Sequence, residues 1–210
     1  MSAQLGTRDA IIRKGAELIH ARGFNATGLQ QILEGAGVPK GSFYFYFKSK
    51  EEFGLAIIDH FAGVVGSLFT RSLDDGGIPP LARLAKLLDT YERLFIKSGC
   101  TLGCPIGNLS LEMSDSSERI RARLQAVIDS LIAHIGSCLE DARREGSLPA
   151  GTNTAETACM LFHGLEGAIL HMKVSKSIEP IRLYRKYISS FLGAGAPGKN
   201  TSLRKTKGDR

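Results

Sequence analysis

Apolar residues recur along this chain every three to four positions, and nowhere does a strict in-and-out alternation persist, so the pattern predicts helices from end to end. Ile11, Ile12, Ala16, Leu18 and Ile19 trace one face of a first helix, roughly 7–22, which Gly23 is placed to stop. A short second helix opens at Thr27, with Gln30 three residues on in capping-box spacing, carries Leu29, Ile32 and Leu33, and ends near Ala36. Gly37 offers the left-handed backbone of a tight turn, and Pro39 suits the first turn of a third short helix, about 39–46. Ser49 and Glu52 form a second capping box for a long fourth helix through Phe53, Ile57, Ile58, Phe61, Val64 and Leu68. Asp74 to Pro80 reads as a loop, and amphipathic stretches follow at about 80–97, 105–113, 116–145, 153–174 and 178–192. The expectation is an all-α fold of about nine helices: an N-terminal three-helix unit and a larger helical body.

Charge divides the chain in the same place. The formal net charge is +6, yet residues 1–50 carry +4, residues 194–210 another +4, and the stretch between them −2. A cationic head on a near-neutral body suits a polyanion-binding module joined to something that does not touch the polyanion. The expected units are residues 5–60, residues 61–193 and a disordered basic tail at 194–210. No window approaches the roughly 18 uninterrupted apolar residues of a membrane span, and no secretory leader opens the chain, so a cytoplasmic protein without membrane contact is expected. The four cysteines are too few for a disulfide scaffold and are expected as thiols. No cofactor motif is visible, and no Cys/His/Asp cluster accompanies any cysteine, which argues against a thiol-dependent enzyme. A zinc site would need more than the spacing of Cys100 and Cys104.

A capped short helix, a glycine turn and a second short helix outline a helix-turn-helix, whose second helix enters the DNA major groove. The segment GVPKGSFYFYFKSKEE (37–52) resembles the signature of the TetR family of transcriptional regulators. Phe43 and Phe47, four apart, share a face that packs on Leu29, Ile32 and the first helix. Five successive aromatics on one short helix cannot all be buried, so some ring faces solvent or ligand. The resemblance assigns Tyr44 and Tyr46 to phosphate or sugar and Lys50 to the phosphate beside the fourth helix, leaving Lys40 and Ser42 as readers of base edges. Thr27 either caps the second helix or meets a phosphate at its amino end, and the two roles are compatible. Phe45 stands where related sequences carry histidine and can make only apolar contact, such as with a thymine methyl.

The same resemblance implies an effector-binding body that dimerises through its last helices. The run FHGLEGAI (162–169) is similar to the dimerising helix of the family, with Gly164, Gly167 and Ala168 on adjoining turns, although these small residues can equally pack within one subunit. The stretch GCTLGCPIGNLSLE (99–112) resembles an electrophile-responsive branch in which the second cysteine is the sensor. Cys104 precedes Pro105 at a helix start, where aligned peptide dipoles favour thiolate, and Cys100 is placed to resolve an oxidised Cys104 as a disulfide. For a neutral ligand, Tyr91, Phe95 and Phe162 would line a cavity with Asn108 or His163 as polar anchors. The expected function is a homodimeric regulator, repressor or activator, that binds a pseudo-palindromic double-stranded operator and is released by a small effector or by thiol modification.

Overall fold

The computed structural model describes residues 2–193, with side chains from residue 6 onward; the expected tail at 194–210 lies outside the described residues. Within them are nine α-helices and no strand: α1 Ser2–Arg22, α2 Leu29–Gly35, α3 Phe43–Tyr46, α4 Lys50–Leu73, α5 Pro80–Lys97, α6 Pro105–Met113, α7 Glu118–Arg144, α8 Thr154–Ser175 and α9 Glu179–Gly193. The all-α expectation holds. The third helix is tighter than its sequence implies: Pro39 precedes a 3₁₀ turn over Lys40–Ser42, and only Phe43–Tyr46 is one turn of α-helix.

Local chemistry sets most of the helix ends. Gly23 and Gly37 adopt φ of +93° and +67°, the left-handed backbone that closes α1 and lets the chain leave α2. The Ser49 hydroxyl accepts the Glu52 amide at 3.1 Å, and the Glu52 carboxylate reaches back to the Lys48 amide at 2.8 Å, a reciprocal cap that starts α4. The expected cap at Thr27 is corrected. Gly28 holds the N-cap position of α2 without a side-chain bond, and the buried Thr27 hydroxyl donates instead to the Gly23 carbonyl at 2.6 Å.

α4 is the axis of the molecule. It packs on α1 at one end and on α5, α6 and α7 along its length, so head and body share one continuous helix across the expected boundary at residue 60. It is the one described helix long and apolar enough to cross a membrane, and that composition has a packing cause: Phe53, Ile57, Ile58, Phe61, Val65 and Phe69 are all buried among four neighbours. Around it, α7, α8 and α9 pack in succession, with α5 filling the space between α4, α7 and α9. Arg83 on α5, only 11% exposed, pairs with Asp141 on α7 at 2.9 Å and also donates to the Ile78 carbonyl, which fixes the α4–α5 loop against the body.

Candidate functional site

The head presents its aromatic turn because two of its rings are anchored. Phe43 and Phe47 are 2% and 0% exposed and lie edge-on to Phe53 of α4, with centroids 5.6 and 5.1 Å away. With those two inside, Tyr44 and Phe45 stand 71% and 67% exposed. Leaving a phenylalanine side chain in water forgoes about 2 kcal/mol of burial, an arrangement expected of a contact surface rather than a stability element. Lys40 and Lys48 are exposed beside them, while Ser42 and Tyr46 are half-buried on the flank facing α1. Lys50, also exposed, holds its ammonium 5.0 Å over the Phe24 ring at the first residue of α4. Thr27 is not part of this surface: it is buried, and its single hydroxyl proton is spent on Gly23, so in this conformation it has none to give a phosphate. The rest form two exposed rings flanked by cations, suited to a groove edge and its phosphates.

In the body, Cys104 caps α6, and its sulfur accepts the Gly107 amide at 3.4 Å, so the expected position at a helix start is observed. The expected thiolate is not. Cys104 is 4% exposed, and burial first, then the charge of Glu166, push its pKa well above the ordinary 9.0. The amides of Gly107 and Ile106 pull the other way and are outweighed, because desolvation of a buried anion exceeds what a helix end returns. The resting group is a thiol beside the Glu166 carboxylate, whose own pKa burial raises from 4.5. Gly107 makes the room: a methyl group there would overlap the Glu166 Oε2. Tyr91 belongs to the same cluster, its phenol pushed well above 10.0 by burial and then by the charges of Cys104 and Glu166.

Cys104 lies in the wall between two cavities. One, of about 490 Å³, runs between α6 and α8 and is lined by Cys104, Asn108, Phe162, Glu166 and Lys173. The other, of about 210 Å³, lies toward α1, α4 and α5 with Tyr91, Phe95, Phe61 and His20. Asn108 and Phe162 thus meet Cys104 in one space, and Tyr91 and Phe95 meet it in the other. Two expected residues do not join them. His163 is exposed on the outer side of α8, and Cys100, buried at φ +55°, lines neither cavity and is a free thiol. Glu166 was missed by the sequence reading, although a lone carboxylate in the otherwise apolar and small run from Gly164 to Leu170 was a visible mark of it.

α6 joins this cluster to the head. Near its far end Glu112 accepts the amide of Phe24 at 2.7 Å and that of Asn25 at 2.6 Å, gripping the α1–α2 loop by its backbone. Beside its start, the ring of His20 on α1 hydrogen-bonds the Gly103 carbonyl at 2.8 Å. Nine residues of helix, roughly 13 Å, therefore separate a buried thiol from the α1–α2 loop of the head. On the outer side of the body, Met160, Gly167, Leu170 and Val174 of α8 adjoin Leu183, Tyr187 and Phe191 of α9 as an exposed apolar stripe. The small residues of α8 divide accordingly. Gly167 lies on the stripe, but Gly164 faces the Tyr184 ring, which a Cβ would meet at 2.8 Å, and Ala168 is buried; both serve packing within the subunit.

Residues 11–57 match the family described as bacterial regulatory proteins, tetR family, and residues 80–188 match the tetracyclin repressor-like C-terminal domain. The transcriptional regulator AcuR of Cereibacter sphaeroides is 33% identical over 84% of this chain and 81% of its own length. The HTH-type transcriptional repressor DhaR of a Mycobacterium species is 31% identical over 85% of this chain and 88% of its own. Among solved structures, the reduced form of Escherichia coli NemR superposes with a TM-score of 0.79 at 30% identity, covering 89% of this chain and 98% of that one.

Proposed function

The chain belongs to the TetR family of DNA-binding transcriptional regulators, and from that premise we propose that it is a homodimeric repressor released from its operator when a small electrophile reaches Cys104. The observation that carries this reading is the span of α6, which begins on the thiol and ends on the backbone of the head. A ligand or adduct in the 490 Å³ cavity displaces α6, and Glu112 passes the displacement to the α1–α2 loop. The exposed stripes of α8 and α9 supply the dimer surface. Two heads held roughly 34–36 Å apart dock on successive major grooves, so a small rotation of either abolishes simultaneous binding. Tyr44, Tyr46 and Lys50 take phosphates, Lys40 and Ser42 take base edges, and Phe45 takes an apolar base group such as a thymine methyl. As a reader of DNA it works in the cytoplasm. The names of two relatives support the repressor reading, since DhaR and NemR are both called transcriptional repressors.

The test is fluorescence anisotropy with duplex from the region upstream of the protein's own reading frame, with and without N-ethylmaleimide. Wild-type protein should bind and then dissociate on treatment, and Cys104→Ser should bind equally and stay bound. Release of the Cys104→Ser protein would remove the thiol from the mechanism.

A further inference from the structure

We propose that Glu166 is the proton acceptor that activates Cys104 toward a neutral α,β-unsaturated carbonyl compound admitted to the α6–α8 cavity. The inference rests on the reading of that cavity as the effector site and adds how a protected thiol reacts there. Cys104 and Glu166 flank Gly107 at the start of α6, the carboxylate Oε2 and the Cys104 Cβ both lying against the space a Gly107 side chain would take, and both residues line the same 490 Å³ cavity. The absence of a side chain at Gly107 lets the carboxylate sit against the α6 backbone. Among the described residues no cation lies within ion-pair distance of Glu166; Lys173 lines the cavity two turns further along α8, and Tyr91 faces the pair from α5 as a neutral phenol.

A structural carboxylate in this place would serve poorly. It repels the thiolate, so as a mere neighbour it only suppresses the nucleophile. As a base it does the opposite at the moment of attack. The sulfur bonds to the β-carbon of the acceptor, the carbon–carbon π pair moves to the carbonyl as an enolate, and the thiol proton passes to Glu166. Glu166 then returns that proton to the α-carbon. The net change is addition of S–H across the double bond, with no oxidant and no leaving group, and the carboxylate is regenerated. An uncharged acceptor is favoured, because a negative one would meet a half-buried carboxylate without its own counter-ion.

The two roles give opposite signs in one experiment. Intact-mass spectrometry follows adduct formation by methyl vinyl ketone at Cys104 in the full-length protein between pH 6 and pH 9. If Glu166 takes the proton, Glu166→Gln slows alkylation about 100-fold near neutral pH, the scale of one positioned base. The wild-type rate should then be nearly flat with pH, whereas the Glu166→Gln rate climbs tenfold per unit as hydroxide does the work. Glu166→Asp should recover part of the rate, and operator binding by all three proteins confirms that they are folded. Alkylation of Glu166→Gln as fast as wild type, or faster, overturns the proposal, since removing a repelling charge by itself accelerates a thiol. Alkylation of wild type at Cys104 without operator release would instead overturn the effector reading and leave the chemistry of the pair standing.

Discussion

Removing the Glu112 carboxylate should uncouple the sensor from the head, and the structure sets the size of the effect. Two backbone amides lose their acceptor in Glu112→Ala, but they are not equivalent. Phe24 is buried, so its amide loses a charge-assisted bond of about 1.5–3 kcal/mol; Asn25 is exposed, and water replaces its partner at a cost of about 0.5 kcal/mol. The sum is about 2–3.5 kcal/mol, which in a chain of this length lowers the melting temperature by about 4–14 °C. The same contacts bound the coupling from above: 2–3.5 kcal/mol corresponds to roughly 30- to 370-fold in operator affinity, which reaches the upper end of the usual range of allosteric coupling. The measurement is the ratio of operator dissociation constants with and without a saturating Cys104 electrophile. Glu112→Ala should shrink that ratio at least about fivefold, the low edge of such coupling. Glu112→Gln, which keeps one acceptor oxygen and turns an amide donor toward the other N–H, should fall between. A ratio unchanged within twofold, in a protein whose melting point has dropped as expected, would show that α6 does not act through this grip.

Two further outcomes test the head and the buried cluster. Phe45→Ala removes a ring that touches mainly water, so stability should stay within about 0.5 kcal/mol of wild type while operator affinity falls at least tenfold; equal affinity would exclude the ring from the interface. Cys104 and Tyr91 both hold their protons more tightly in the fold than in the unfolded chain. Their stabilisation is therefore complete below about pH 9 and is lost as pH rises toward the folded values, at about 1.4 kcal/mol per unit for each group. Thermal melts from pH 8 to pH 10.5 should fall more steeply for wild type than for Cys104→Ser, and parallel curves would refute the buried-thiol account.

What could be read along the chain was whatever depends on near neighbours. Helical periodicity placed α5, α7, α8 and α9 to within two residues, because a face repeating every 3.6 positions is a local property, while α1 begins at Ser2, five residues before its expected start. The Ser49 cap, the turn at Gly37 and the inward pair Phe43 and Phe47 follow from spacing and backbone freedom alone, and fixing that pair left Tyr44 and Phe45 outside. Proline after Cys104 likewise marked the start of α6.

Through-space quantities escaped. Thr27 has the composition of a cap, but the tertiary course of the α1–α2 loop brings the Gly23 carbonyl to its hydroxyl first. Glycines on α8 look alike in sequence, yet Tyr184 from α9 decides that Gly164 is internal and Gly167 is not. A helix terminus argues for thiolate at Cys104, and that local argument is sound as far as it goes. Desolvation and a carboxylate from a helix some sixty residues away reverse it, because the energy of a buried charge is set by everything packed around it and not by the residues beside it in the chain.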